Sequence, residues 1–183
     1  MLKKYLLFWI AAASCSFPLH ATELTFTAIG DQPYFSDDAF SSLIKKINED
    51  ASSQFTIHVG DIKNGANTCS DERFSSVKQL FNEFTRPLIY TPGDNEWTDC
   101  HRASNGSYQQ LERLEKVRSI FFQEGKSLGQ QALQLENQSK LMPKYRSYIE
   151  NQRWADQDVL FVTIHQVGSN NNLDHQVLGA IAE

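Results

Sequence analysis

The sequence predicts an α/β fold, and the evidence is an alternation of strand-like and helix-like segments. Three short segments, 24–29, 55–59 and 87–90, are apolar or alternate apolar residues with threonine, which is typical of strands. Helix-like segments, in which apolar residues recur every three or four positions, separate them. Strands that alternate with helices favour right-handed βαβ units and a largely parallel sheet. We therefore expect an α/β domain built on such a sheet.

Three helices are predicted, and the first two connect the strands. The segment 36–50 begins with a candidate cap at Ser36 or Asp37 and then places apolar residues at helical spacing, namely Phe40, Leu43, Ile44 and Ile47. The segment 71–84 has a similar apolar face. A longer amphipathic helix is predicted over 107–123, whereas 125–157 is polar and shows no clear period. The apolar run 159–164 is typical of a strand buried on both faces of a parallel sheet.

A Gly-Asp pair follows each of the three strand-like segments, and this repetition is the main functional signal. The aspartates are Asp31, Asp61 and Asp94, and the glycine before each permits a sharp exit from the strand. The carboxyl ends of parallel strands open onto one edge, where ligands bind, so we expect the three carboxylates to converge there. Any single pair is typical of a turn or a helix cap. Three carboxylates together repel one another unless a cation offsets their charge, which predicts a divalent metal site.

His165 is a fourth candidate ligand, because it directly follows the apolar run 159–164. A lone histidine at such a position is more often structural. Together with three aspartates, however, an imidazole suits Mn, Fe or Zn in a hydrolytic centre. His58, in contrast, alternates with Thr56 on one face of its strand, and we interpret it as a satisfied histidine of the sheet rather than a ligand.

The N-terminus has the features of a secretory signal peptide. Lys3 and Lys4 precede an apolar stretch, and small residues follow it. Polar residues and Pro18 interrupt the stretch before it reaches the roughly 20 apolar residues that a membrane span needs. We therefore expect residues 1–21 to be removed and residues 22–183 to form one exported domain, periplasmic or secreted, with no membrane contact after cleavage.

The charge of the exported chain argues against one class of partner. Without residues 1–21 the net charge falls from −5 to −7, because Lys3 and Lys4 are lost and no acidic residue is. An acidic chain lacks the basic surface that nucleic acids require, so no nucleic-acid partner is expected. The sequence does not indicate an oligomeric state.

Two cysteines, Cys69 and Cys100, remain after cleavage, and an oxidising compartment allows them to pair. Cys69 follows Asp61 by eight residues, and Cys100 follows Asp94 by six. If the loops that begin at these aspartates are neighbours, a disulfide joins them at one rim of the sheet. The alternative is two unpaired thiols.

At these positions the chain resembles the calcineurin-like metallophosphoesterases. That family carries Asp-x-His, Gly-Asp and Gly-Asn-His-Asp/Glu at successive strand ends, then a single histidine and a final Gly-His-x-His. Here "GDQP" at Asp31, "GDIKNG" at Asp61 and "GDNE" at Asp94 match the first three motifs, and His165 matches the single histidine. Pro33 and Asn95 stand where the family has histidine, and the last motif has no counterpart. The "GDNEW" form is similar to a divergent branch of the family.

The resemblance implies a fold and a set of roles. The fold is a metallophosphoesterase-like sandwich of mixed β-sheets flanked by helices, here C-terminally incomplete. Asp61 would bridge two metal ions, Asp31 and Asp94 would each hold one, and His165 would complete the second. Asn95 would contact a phosphate oxygen of a small phosphorylated substrate. His101 is a candidate proton donor, and Arg102 is a candidate phosphate clamp, although a loop arginine is more often a solvated surface group.

Three interpretations of function remain open at this point. The retained aspartates and His165 favour a metal-dependent hydrolase of phosphoesters, with activity weakened by the missing histidines. The loss of those histidines favours a non-catalytic exported binding protein that keeps the fold. An incomplete chain that folds poorly is the third. Trp97 and Tyr34 are interpreted as pocket walls or, equally, as core side chains near the loops.

Overall fold

The first half of the chain forms a parallel sheet with helices between its strands, as the sequence predicts. In the computed structural model, which describes residues 23–122 and 125–178, the strands are β1 (Thr27–Ile29), β2 (Thr56–His58) and β3 (Leu88–Tyr90). They lie in the order β1-β2-β3, and both neighbouring pairs are parallel. Helix α1 (Asp37–Glu49) connects β1 to β2, and α2 (Asp71–Phe81) connects β2 to β3.

A serine caps each of the first two helices, and Ser36 is one of the two caps predicted for α1. The Ser36 side chain accepts a hydrogen bond from the backbone N–H of Ala39, and Ser70 accepts one in the same way at the start of α2. Acidic residues fill the first turn of both helices, where the helix dipole favours them. The third predicted helix, α3, spans Gln110–Phe121 and so begins three residues later than the amphipathic pattern suggested.

The helices pack on one face of the parallel sheet, and their contact forms the main core. Phe40 of α1, Phe81 of α2 and Phe121 of α3 are all fully buried or nearly so; Phe81 and Phe121 contact Tyr90 of β3, and Phe40 packs on Phe81. Phe81 lies 5.6 Å from Tyr90 and 5.7 Å from Phe121 between ring centroids, in edge-to-face arrangements. This aromatic cluster fixes the helices against the strands whose ends carry the aspartates.

A second, antiparallel sheet covers the opposite face. It consists of β4 (Glu136–Asn137), β5 (Gln152–Asp156) and β6 (Val159–Thr163), with the short helix α4 (Gln138–Leu141) after β4. Phe55, beside β2, contacts Trp154 and Phe161 at ring-centroid distances of 5.5 and 5.1 Å. The protein is therefore a mixed α/β structure in three layers, with helices on one side of the parallel sheet and the antiparallel sheet on the other.

The prediction that the apolar run 159–164 is buried on both faces of a parallel sheet is wrong. Strand β6 pairs only with β5, in antiparallel orientation, and its outward side chains are exposed. Leu160, Val162 and Ile164 are 62%, 57% and 69% exposed, whereas Phe161 turns inward to the parallel sheet. A short continuous apolar run carries no periodicity, so it cannot reveal which of its faces is covered.

The predicted signal peptide, residues 1–21, lies outside the described residues. Within the described part of the chain, no helix combines the length and the apolar character needed to cross a membrane.

His58 is a structural residue of the sheet, as its position in the strand predicts. Its side chain is fully buried, its Nε2–H donates to the carbonyl of Gln32 at 3.0 Å, and Nδ1 accepts from the N–H of Gly60 at 3.2 Å. Burial lowers the pKa of His58 to about 4 from 6.5, although the Gln32 carbonyl and Asp31 act in the opposite direction. The histidine is therefore held neutral.

We expect His58 to make the stability pH-dependent. Its pKa falls on folding, so the contribution of the neutral side chain is fully present above pH 6.5 and is lost as the pH falls towards 4. Between these limits the wild type should lose about 3 kcal/mol of unfolding free energy relative to His58→Asn, whose amide hydrogen-bonds but does not titrate. Urea unfolding of both proteins across this range measures the difference. A difference that stays constant with pH contradicts the assignment.

Candidate functional site

The parallel sheet brings Asp31 and Asp61 to the same edge, and Asp94 joins them from the end of β3. Each Gly-Asp pair forms a corner where the chain leaves its strand. The N–H of Asp31 donates to the carbonyl of Gly60 at 3.1 Å, which holds the first two corners side by side. The pKa of Asp61 is raised, first by burial and then by the negative charges of Asp94 and Asp31, although the N–H of Asn95 acts in the opposite direction. The Asp61 carboxylate is therefore near enough to both of the other aspartates to feel their charges.

The backbone at the first two corners is unusual in the same way. Asp31 and Asp61 both have a φ of 57°, in the left-handed region that residues other than glycine rarely adopt. Aspartate is among the side chains that tolerate this region best, because its short polar group can hydrogen-bond locally. Such conformations cluster at functional sites, where the surrounding structure holds them in place.

Close contact between two glycines makes the central corner possible. A Cβ atom on Gly60 would lie 2.2 Å from the backbone nitrogen of Gly93, and Gly60 also has a φ of 92°. A Cβ atom on Gly93 would lie 2.0 Å from Oδ1 of Asp61. Any larger residue at either position would therefore push the Asp61 carboxylate away from the end of β3.

Glu96 ties these corners together, and sequence reasoning missed it. Its Oε1 accepts hydrogen bonds from the Tyr90 hydroxyl at 2.7 Å, the N–H of Gly93 at 2.7 Å and the N–H of Asp61 at 3.2 Å. Oε2 is buried and has no hydrogen-bond partner within the described ranges. Burial raises the pKa of Glu96 to about 7, while the bond from Gly93 acts in the opposite direction. The only sequence feature that could have indicated Glu96 is its place as the last residue of the "GDNE" motif.

The Tyr34 hydroxyl lies between two of the aspartates. It donates to Oδ1 of Asp31 at 2.8 Å, lies 3.2 Å from Oδ2 of Asp61, and accepts from Nδ2 of Asn95 at 3.0 Å. Burial and the neighbouring carboxylates raise the pKa of Tyr34 well above its ordinary value, so the phenol keeps its proton. Tyr34 is therefore a polar member of the site and not only an aromatic wall.

The three predicted catalytic residues have different surroundings. Asn95 is engaged inside the protein, since Nδ2 also donates to the carbonyl of Lys63 at 3.2 Å. Arg102 pairs with Asp99 at 2.6 Å and leaves about half of its side chain exposed. Nδ1 of His101 lies 2.7 Å from the carbonyl oxygen of Thr98. Asn95 and Arg102 both flank Gly65, as a Cβ atom there would lie 3.6 Å from Oδ1 of Asn95 and 3.8 Å from Nη1 of Arg102.

Lys63 places a buried positive charge beside the acidic cluster. Its side chain is fully buried, and Nζ donates to the carbonyl of Asn64 at 2.9 Å. Burial lowers the pKa of Lys63 to about 8, while the charges of Glu96, Asp99 and Asp61 act in the opposite direction. The lysine therefore offsets part of the repulsion among these carboxylates. A lysine two residues after a Gly-Asp pair carried no recognisable signal in the sequence.

Asp94 borders a cleft that the chain after β6 completes. The cleft has a volume of about 400 Å³, and Asp61, Asp94, Ile164 and Gly168 are among the residues that line it. The hydroxyl oxygen of Ser169 lies 3.0 Å from Oδ2 of Asp94 and 2.9 Å from Oδ1 of Asp99. The segment that carries His165 therefore lies against the third aspartate.

His165 is held from one side by a buried carboxylate. Nδ1 lies 2.9 Å from Oε1 of Glu150, and the ring contacts Trp97 with centroids 5.4 Å apart. Nε2 is buried and meets no hydrogen-bond partner in the part of the chain that the structure describes. Trp97, only 4% exposed, packs against the candidate ligand and does not form an open pocket wall.

The donors suit a divalent cation by their chemistry, although they do not form a closed cage. Carboxylate oxygens and an imidazole nitrogen are the ligands that Mn, Fe and Zn prefer, and Nε2 of His165 is an orphaned donor atom. Among residues 23–122 and 125–178, no three side chains from His, Cys, Asp and Glu lie close enough together to hold an ion. Comparisons of the chain with protein-family models, curated proteins and solved structures give no match.

A disulfide between Cys69 and Cys100 fastens the two central loops, which confirms the predicted pair. The Cα atoms are 5.8 Å apart, and both residues are fully buried. The two sulfurs lie 3.5 and 3.7 Å from the carbonyl oxygen of Asn95, so the bridge lies directly beneath the loop that follows Asp94.

Removing the disulfide should lower stability markedly. The bond closes a loop with a sequence separation of 31 residues. A loop of this size predicts a loss of about 3–4 kcal/mol in Cys69→Ala/Cys100→Ala, because the unfolded chain regains entropy. Chemical unfolding of both proteins under non-reducing conditions measures it. Two free thiols in the unreduced wild type, detected by mass analysis, would contradict the bond itself.

We expect Glu96 to change the free energy of unfolding with pH in the direction opposite to His58. Its pKa rises on folding, from 4.5 to about 7, so its contribution is present below pH 4.5 and lost as the pH rises through 7. Across this range, in EDTA, the wild type should lose about 3 kcal/mol relative to Glu96→Gln, which imitates the protonated form. Glu49→Gln, at an exposed position, is the control and should track the wild type. Parallel curves for Glu96→Gln and the wild type would refute the assignment.

Proposed function

We propose that this protein is an exported, metal-dependent hydrolase of the calcineurin-like metallophosphoesterase type, acting on a small phosphorylated substrate. The observation that carries the proposal is the convergence of three aspartates at the carboxyl edge of the parallel sheet: the Tyr34 hydroxyl contacts both Asp31 and Asp61, and Asp61 lines one cleft with Asp94. The order of the three Gly-Asp motifs and His165 along the chain supports the same family. The layered helices, parallel sheet and antiparallel sheet are compatible with the sandwich fold which that family implies.

The two metal positions of this family would have different numbers of protein ligands in this chain. Asp61, Asp94 and His165 would hold one ion of Mn, Fe or Zn, and binding would have to draw these three side chains closer together than they lie in the structure. A second ion would have only Asp31 and Asp61 from the predicted set, because Pro33 replaces a ligand histidine. A bound ion of this kind lowers the pKa of a coordinated water and offsets charge on phosphoryl oxygens. We therefore expect at most one tightly held ion per chain and slow turnover.

The side chains around the ligands would orient the substrate. Arg102 is held by Asp99 yet half exposed, so its planar guanidinium remains available for two phosphate oxygens. Asn95 cannot donate a proton, and both of its amide hydrogens are engaged by Tyr34 and Lys63. If His101 protonates the leaving group, it does so from Nε2, because its Nδ1 is directed to the Thr98 carbonyl.

A second candidate function is a non-catalytic exported binding protein that retains this fold. The specific observation in its favour is the Tyr34 hydroxyl, which lies between Asp31 and Asp61 and satisfies oxygens that a metal ion would need. In this alternative the carboxylates serve the structure of the loops. The carboxylates could also hold one cation in this alternative, so metal binding at Asp61 distinguishes the two functions only when turnover is measured with it.

Asp61→Asn tests the proposal, because the change removes the central charge and nearly keeps the shape. The wild type, without its signal peptide, should bind about one Mn²⁺ per chain and hydrolyse activated phosphoesters slowly in its presence. Asp61→Asn should lower the Mn²⁺ affinity and the turnover by at least about tenfold, since one of the three assigned protein ligands loses its charge. Asp158→Asn, at an exposed turn residue, is the matched control and should leave both unchanged.

Metal content and turnover together decide between the candidates. Equal Mn²⁺ content in Asp61→Asn, Asp158→Asn and the wild type would contradict the assigned site. Mn²⁺ binding at Asp61 without any hydrolysis across phosphomonoesters and phosphodiesters would favour the binding protein.

A further inference from the structure

A buried chain of charged groups leads from helix α3 to His165. Glu150, which precedes β5, is fully buried, and Arg118 of α3 donates to it twice, from Nε to Oε2 at 2.9 Å and from Nη2 to Oε1 at 2.6 Å. The same Oε1 lies 2.9 Å from Nδ1 of His165. Both bonds from Arg118 come from a guanidinium that keeps its positive charge, so they stabilise the ionised form of Glu150. Glu150 is therefore a carboxylate, which can only accept.

This geometry decides which nitrogen of the neutral histidine carries the proton. An ionised carboxylate has no hydrogen to give, so the group that faces it must be Nδ1–H. The proton is then absent from Nε2, which is the buried nitrogen that lacks a partner among the residues the structure describes. In its neutral form, His165 thus keeps its lone pair on Nε2, which accepts no hydrogen bond from any residue within the described ranges.

Stability alone does not account for such an arrangement. A buried ion pair is often no better for stability than apolar side chains of similar size, because both charges lose their hydration. The side chains of Arg118 and Glu150 are only 9% and 0% exposed, so the desolvation cost is real here. Histidines that bind metals almost always donate their other N–H to a carboxylate or a carbonyl. Glu150, held by Arg118, lies where such a carboxylate would lie relative to His165 and can accept its N–H.

We propose that Glu150, braced by Arg118, is a positioning residue that fixes the Nδ1–H form of His165 and so presents Nε2 as a metal donor. The metal part of this statement rests on the proposed function, whereas the choice of tautomer does not. Neither residue touches the substrate, and both act only through His165.

The experiment replaces the pair by apolar residues of similar size in Arg118→Met/Glu150→Leu, a type of exchange that buried ion pairs commonly tolerate. Arg153→Gln/Glu136→Gln removes an exposed Arg–Glu pair from the antiparallel sheet and is the control. Two readouts apply to each protein: long-range ¹H–¹⁵N correlation spectra of the His165 ring at pH 8, recorded in EDTA, and titration with Mn²⁺ alone. A cooperative unfolding transition verifies the fold of each variant.

The wild type and the control should show a protonated Nδ1 and an unprotonated Nε2 at His165. The double variant should lose this preference and bind Mn²⁺ about 10–100-fold more weakly. A proton on Nε2 in the wild type overturns the proposal without any variant, and so does an unchanged tautomer in the folded double variant. If the tautomer changes as expected but no protein binds Mn²⁺, the positioning of His165 stands and the proposed metal-dependent function fails.

Discussion

The backbones of Gly60 and Gly93 touch at the carboxyl end of the parallel sheet, and the site depends on this contact. There is no room for a Cβ atom on either residue, since it would lie 2.2 Å from the Gly93 nitrogen in one case and 2.0 Å from the Asp61 carboxylate in the other. Glu96 closes the contact from within by accepting the N–H groups of both Gly93 and Asp61. The Asp61 carboxylate is thereby held between its neighbours despite their charge.

Such a concentration of negative charge needs compensation, and the protein supplies part of it. Lys63 is buried beside Glu96, Asp99 and Asp61, and Arg102 pairs with Asp99 at the rim. The Tyr34 phenol adds a proton between two of the aspartates. These groups therefore offset negative charge on the carboxylates beside them, whereas Asp94 borders an open cleft. This difference supports the proposal that Asp94, Asp61 and His165, and not Asp31, form the stronger metal position.

Periodicity and strand-end motifs predicted the parallel half of the fold and the convergence of its aspartates, because one layer of βαβ units follows simple rules. The antiparallel sheet was not predictable, since its first strand, Glu136–Asn137, has two residues and β6 shows no period. Lys63 and Glu96, and the polar role of Tyr34, were missed for another reason. Each acts through a contact with a residue from another loop, and such contacts produce no regular spacing that could be recognised in the sequence.

The central claim is that the edge formed by the three aspartates is one cation site centred on Asp61. Anomalous diffraction from crystals soaked in Mn²⁺ tests this most directly, because it locates the ion independently of any activity. We predict one strong Mn²⁺ peak within about 2–2.6 Å of a carboxylate oxygen of Asp61, with Asp94 as a further ligand. Crystals that take up Mn²⁺ only elsewhere, or that leave Tyr34 as the sole partner of Asp31 and Asp61 at saturating Mn²⁺, would contradict it.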